Sequence, residues 1–282
     1  MRAAAWLSAI MMVALGVSAP GTYAQDKPQA RRVVSMNLCT DQLALLIAAP
    51  GQLHSVSWLA ADPQSSALAD EARGFALNHG LAEEIFLMQP DLVIAGTYTA
   101  RSTVELLRKL GIRVEEFAPD SSLEDIRQNI ARMGEILGQQ QRADALGAAF
   151  DSAIANSKAT KLSGKQAATY YPNSYTSGAG TLVDSIISAS GLENTAAKLG
   201  FSGTAKLPLE VLLLSAPDVV INDREQPASP ALAHENFTHP AYRHLAANSA
   251  NAAIPAKYTI CGGPFTADAI RLLRDAAEKA PL

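Results

Sequence analysis

Apolar and polar positions along this chain come in short blocks that switch repeatedly between a strand-like and a helix-like pattern. Arg32-Val33-Val34-Ser35-Met36 is an apolar run ending in the polar turn Asn37 to Thr40, and Asp41 to Ala49 then reads as a helix stopped by Pro50-Gly51. His54 to Trp58 reads as a second strand. Ala82 to Met88 forms a short helix before the buried strand Pro90 to Gly96, Thr103 to Leu110 is a helix ended by Gly111, and Ile112 to Phe117 is the next strand. Strand and helix in alternation imply a parallel sheet covered on both faces.

Between residues 121 and 160 the pattern becomes helical alone. Ser122 is placed to cap Leu123 to Leu137, Gly138 interrupts, and Gln139 to Lys158 continues with Ala143, Leu146, Ala149, Phe150 and Ile154 at helical spacing. A helix of about 20 residues spans about 30 Å, enough to join two lobes as a strut. After Gly164 the alternation resumes, with a strand at Ala167 to Tyr171, a helix at Leu182 to Ser190 and a strand at Pro217 to Asn222.

An internal echo adds to this pattern. Glu83-Glu84-Ile85-Phe86-Leu87-Met88-Gln89-Pro90-Asp91-Leu92-Val93-Ile94 is matched by Glu210-Val211-Leu212-Leu213-Leu214-Ser215-Ala216-Pro217-Asp218-Val219-Val220-Ile221 at a constant offset of 127 (210 minus 83). In each copy an acid opens a short helix seven residues before the proline that enters a strand. With a helical strut between the copies, the pattern favours two similarly built lobes.

Composition narrows the class. The chain has 282 residues, 48% hydrophobic and 18% charged, so it can bury one large core or two smaller ones. Lys and Arg total 23 against 27 for Asp and Glu, a net charge of -4 that gives no general attraction to nucleic acid or anionic lipid. Arg2, the apolar stretch Ala3 to Val17 and Thr22-Tyr23-Ala24 read as a secretory signal over residues 1–24, too short and too interrupted by Gly16 and Pro20 for a membrane span. Residues 25–282 then carry 22 basic against 27 acidic groups, or -5. In an oxidising compartment Cys39 and Cys261 tend to pair, although spacing alone does not give their geometry.

Tests for catalytic motifs fail. There is no Gly-x-Ser-x-Gly elbow, no phosphate-binding Gly-x4-Gly-Lys loop and no dinucleotide fingerprint, since Gly178-Ala179-Gly180 lacks the third glycine. No local spacing sets Cys39 or a serine beside a base. His234, His239 and His244 recur every five residues, which puts the first two about 140° apart on a helix rather than on one metal-binding face, and Pro240 breaks such a helix. Two readings remain: solvated loop histidines, or a three-histidine zinc cluster on a loop, which would make the chain an exported zinc-binding protein. His54 and His79 stand alone.

Five segments resemble the periplasmic substrate-binding proteins of cobalamin and iron-chelate ABC importers: Arg32 to Asp41, Glu83 to Gly96, Leu107-Arg108-Lys109-Leu110-Gly111-Ile112-Arg113-Val114, the paired helices Ser122 to Lys158, and Glu210 to Asn222. The resemblance implies two parallel-sheet α/β lobes, residues 25–138 and 161–282, joined by one rigid helix at 139–160 with the ligand cleft between them. It implies binding without catalysis, in the periplasm, of a corrinoid such as cobalamin or a ferric chelate such as a siderophore or haem. The partners it implies are an ABC permease dimer and its ATPase, with Glu83 and Glu210 at the positions where this family docks an acid from each lobe onto permease arginines; the plain alternative is that both acids only stabilise helix N-termini.

Within that framework, ligand contacts are expected where strands end. The candidates are Asn37, Cys39, Trp58, His79, Tyr98, Arg101, Tyr175 and Phe201, the aromatic rings suiting a large flat chelate and Arg101 a carboxylate or phosphate. Cys261 lies at another strand-to-helix turn, with Thr266 the expected cap of Ala267 to Ala277. If that turn faces the cleft, three readings stay open: a Cys39–Cys261 interlobe disulfide, one cysteine contacting a bound metal, or two separate buried thiols.

Overall fold

A computed structural model describes residues 29–157, 162, 164–222 and 232–280. The expected signal segment, residues 1–24, and the last three positions of the expected linking helix, 158–160, lie outside the described residues.

The first half is a five-stranded parallel sheet. Its strands β1 (Val33–Ser35), β2 (Leu53–Ser57), β3 (Ala76–Asn78), β4 (Leu92–Gly96) and β5 (Val114–Phe117) lie in the order β3-β2-β1-β4-β5. Helices α1 (Leu38–Ile47), α2 (Ala69–Ala72), α3 (Ala82–Leu87) and α4 (Arg101–Lys109) make the connections. The β4 strand is buried at every position, as a strand covered on both faces requires.

Two long helices follow, α5 (Leu123–Leu137) and α6 (Gln140–Ser157). The α5 boundaries are those the sequence predicts. The Ser122 hydroxyl accepts the Asp125 N–H, and Gly138, in the left-handed region at φ 65°, ends the helix. The two helices approach so closely that a Cβ on Gly134 would collide with Ala143 Cβ. Position 134 therefore requires glycine.

The second half begins with β6 (Gln166–Thr169), β7 (Tyr175–Ser177), α7 (Leu182–Ala189), β8 (Glu193–Asn194), α8 (Thr195–Lys198) and β9 (Thr204–Lys206). It continues with α9 (Leu209–Ser215), β10 (Val219–Asn222), α10 (Glu235–Thr238), α11 (Pro240–Asn248), β11 (Ala250–Ala253) and α12 (Thr266–Glu278). Four of its strands form a parallel sheet in the order β11-β10-β6-β8, and β7 pairs antiparallel with β9. Reversed, β8-β6-β10-β11 repeats β2-β1-β4-β5. The second sheet is the first without its β3 edge.

The echo at offset 127 holds in backbone detail. Gln89 (φ 49°) and Ala216 (φ 41°) are both left-handed just before the strand-entering proline. Asp91 then accepts the N–H groups of Arg31 and Arg32 at the entry to β1, and Asp218 accepts the Gln166 N–H at the entry to β6. A carboxylate-to-backbone tie at this point fixes how the two central strands of each sheet start together.

The apolar core runs without interruption from one half to the other. A single cluster joins Val33, Leu92 and Phe117 of the first sheet, Ile47 of α1, Ile130, Met133, Leu137, Phe150 and Ile154 of α5 and α6, and Ile186, Val219, Ile221, Ile270 and Leu273 of the second half. The link between halves is thus a packed helical layer, in which α6 contacts α5 and α1 on one side and α12 on the other. Within that layer α6 buries Ala143, Phe150, Ile154 and Ser157.

Three local expectations also change. The first helix starts at Leu38, because Asn37 accepts the Cys39 N–H through Oδ1 and so acts as the N-cap. Trp58 begins a 3-10 helix, Trp58–Ala61, instead of ending a strand. Thr266 does not cap α12: it is the first helical residue, and its Oγ1 accepts the N–H of Gly263, three residues before it.

Candidate ligand site

In an open parallel sheet the crevice for a ligand lies beyond the carboxyl ends of the strands, where the strand order changes direction. Here the chain lays β2 and β3 to one side of β1 and then returns to place β4 and β5 on the other. The switch falls between β1 and β4.

A shallow, open recess lies at that point. Its walls are the residues that follow three adjacent strands and the faces of α1 and α5 nearest to them: Asn37 and Cys39 after β1, Gly96 to Tyr98 after β4, Phe117 to Asp120 at the end of β5, and Asn129 on α5. Gly96 is required there, since a Cβ would stand 2.9 Å from Asn37 Nδ2.

Cys39 and Cys261 form a disulfide, with Cα atoms 5.1 Å apart and 222 residues between them in sequence. It ties the start of α1 in the first half to the loop before α12 in the second. Both sulfurs are committed to this bond, so neither is a thiolate metal ligand. Leu38, Phe265 and the half-buried Leu59 and Tyr258 pack around it.

A second tie lies alongside. Asp120 accepts the Gly262 N–H through Oδ2 at 3.2 Å and the Asn129 side-chain N–H through Oδ1 at 2.7 Å. Burial pushes the Asp120 carboxyl above the usual range, against the pull of those two hydrogen bonds. Asp41, one turn into α1, is buried and accepts the N–H and hydroxyl of Ser57. Burial is again the main influence, and it lifts this carboxyl to about 6.

Of the eight ligand contacts expected from sequence, Asn37, Cys39 and Tyr98 meet at this recess. The others lie elsewhere. Trp58 is 51% exposed on its 3-10 helix, and Arg101 opens α4 with its guanidinium out in solvent, 3.6 Å from Glu105. His79 is bound to Glu84 through both its backbone N–H and Nδ1. Tyr175 sits in β7 beside the ammonium of Lys206, and Phe201 is half-buried against the core on the outer face of the second sheet. Asp120, Asn129, Thr97 and Phe117 were missed. Pro119-Asp120 follows a strand as Asn37 does and was open to the same reasoning, whereas Asn129 reaches the recess only because α5 folds back over β5.

The histidines do not converge. Among the described residues no group of three or more His, Cys, Asp and Glu side chains is placed to hold a metal ion. His239 is instead the N-cap of α11, its Nδ1 accepting the Ala241 N–H, and His244 lies beside Asn248 one turn later. Pro240 takes the first position of α11, which explains the break after His239. Nor is any helix among the described residues long and apolar enough to cross a membrane.

Comparison with known proteins agrees with this arrangement. The family described as "Periplasmic binding protein" matches residues 33–257. A cobalamin-binding protein of Halobacterium salinarum (strain ATCC 29341 / DSM 671 / R1) is 30% identical over 144 residues, which are 49% of this chain and 39% of the relative. The chain therefore spans well under half the length of the curated relative it matches. Among solved structures, the periplasmic heme-binding protein RhuT of Roseiflexus sp. RS-1 superposes with a TM-score of 0.69 at 22% identity, covering 88% of this chain and 99% of that one. The periplasmic vitamin B12 binding protein BtuF of Vibrio cholerae gives 0.67 at 18% identity, covering 89% and 98%.

Proposed function

The chain belongs to the periplasmic binding protein family, and we propose from this that it is the periplasmic substrate-binding component of an ABC importer for a metal chelate. The protein binds its cargo and transforms nothing. Loaded protein docks on an inner-membrane permease dimer whose ATPase supplies the energy, and release requires that the docked state hold the chelate less tightly than the free one. Residues 25–138 and 161–282 act as the two lobes and 139–160 as their link.

The observation that carries this reading is the recess at the β1/β4 switch point, set beside the only covalent tie among the described residues between two similarly built halves. A site of that kind binds without needing a nucleophile. Asn37, Cys39 and Tyr98 form its inner contacts, together with Asp120 and Asn129. Trp58, His79, Arg101, Tyr175 and Phe201 lie away from this recess and are left out of the proposed contact set.

Two cargo classes fit to different degrees. The recess offers amide and carboxylate groups, Asn37, Asn129 and Asp120, and these suit the amide-fringed rim of a corrinoid. Haem would bring its own carboxylates toward Asp120, which is unfavourable, and would need Arg101 to leave Glu105. The corrinoid is therefore the preferred cargo. Equilibrium dialysis of residues 25–282 against cyanocobalamin and haemin tests this, with Tyr98→Ala and Asp120→Asn as site variants. Retention of cyanocobalamin that drops in both variants supports the assignment; retention of either chelate that ignores both variants removes this recess as the site.

A further inference from the structure

Helices α3 and α9 occupy equivalent places in the two halves, each leading through a left-handed residue and a proline into a central strand. Each buries one apolar residue at the matching position, Ile85 and Leu212. Each also turns outward an acid and, four residues later, a leucine: Glu83 with Leu87, and Glu210 with Leu214. Residues four apart share one face of a helix, so acid and leucine stand together.

Leu87 is 79% exposed and Leu214 is 87% exposed. One such leucine on a surface is unremarkable. Two at the same position of a repeated unit are different, because packing accounts for Ile85 and Leu212 but gives no reason for a leucine at either outward position. Neighbouring outward positions have diverged: Leu81 corresponds to Pro208, and exposed Phe86 to half-buried Leu213.

We propose that Leu87 and Leu214 are paired apolar anchors that seat the protein on a partner presenting the same apolar recess twice. A two-fold symmetric permease dimer is such a partner, since a homodimer offers every surface feature in duplicate. The inference rests on the importer reading given above and adds to it the apolar half of the contact. An apolar side chain entering a pocket within a polar rim is the usual form of an energetic hot spot, with Glu83 and Glu210 supplying the rim.

The test uses the whole mature chain, residues 25–282, as wild type and as Leu87→Ser, Leu214→Ser and the double variant. Docking is measured by biolayer interferometry on the permease–ATPase complex of the same organism in nanodiscs. Chelate binding, thermal midpoint and sedimentation are followed in parallel. Each single change is expected to weaken docking about tenfold and the pair about a hundredfold, as for independent apolar anchors. Chelate affinity and thermal midpoint should not move, because both side chains are exposed.

Wild-type docking by the double variant would overturn the proposal and leave the importer reading in place. So would a loss confined to one of the two leucines, which contradicts a two-fold partner. Sedimentation of the wild type as a dimer that the double variant abolishes would assign the leucines to a second copy of this chain instead. A wild type that neither binds a chelate nor docks would refute the importer reading itself.

Discussion

Replacing both cysteines, as Cys39→Ala with Cys261→Ala, opens a loop of 222 residues and frees the unfolded chain from its longest constraint. On the chain-entropy relation, closing a loop of that size removes about 5 kcal/mol of unfolded-state freedom at 25 °C. The folded state should lose much less. The halves remain joined through the continuous core of α1, α5, α6 and α12, and Asp120 still holds the Gly262 N–H. Urea unfolding of the oxidised protein and the double variant, followed by circular dichroism, reads the difference. With a slope of about 3 kcal/mol/M the midpoint should fall by about 1.5 M, and the slope should rise because the released chain exposes more surface. Native spectra should superimpose. A midpoint change under about 0.3 M would refute the argument, since it would mean that the unfolded chain gains little from release.

Other expectations follow from single side chains. The Asp41 carboxyl is lifted by burial from 3.8 to about 6 in the folded protein, so its protonated form is favoured there. The resulting stability is fully present below pH 3.8 and is lost as pH rises through about 6, a swing of about 3 kcal/mol. Asp41→Asn should flatten that slope and raise the urea midpoint at pH 7.5; an unchanged pH profile would show that Asp41 is not the group responsible. Gly262→Ala would drive a Cβ into Ile126 Cγ1 and to 2.6 Å from the Asp120 carboxylate. Overpacking of this kind costs about 1–3 kcal/mol, so the thermal midpoint should fall, and a midpoint equal to wild type would contradict so close an approach of the two halves. Glu83→Ala with Glu210→Ala should weaken docking to the importer while leaving chelate affinity alone, and a fall in chelate affinity would count against a docking role.

The parts legible in sequence were those governed by local rules. Ser122 and Gly138 bounded α5 because a hydroxyl cap and a left-handed glycine leave clear marks. The strands β1, β4, β6 and β10 were visible in the alternation of strand-like and helix-like blocks. The edges were not. Ala76-Leu77-Asn78 and Ala250-Asn251-Ala252-Ala253 carry little strand preference, and they are strands because β2 and β10 offer them a parallel register. The site shows the same division. Asn37, Cys39 and Tyr98 follow strands directly, while Asn129 depends on how α5 crosses β5 and the Cys39–Cys261 bond on how the halves dock. The histidine spacing carried no site, because Pro240 and the His239 cap use those residues to build α11.

The most direct test of the central claim is calorimetric titration of residues 25–282 with cyanocobalamin, haemin and a panel of ferric siderophores, with zinc as control. Saturable one-to-one binding of a chelate in the micromolar range or tighter, without binding of zinc, is the predicted result. Heat from zinc alone, or from none of these ligands, would contradict the assignment as a chelate-binding importer component.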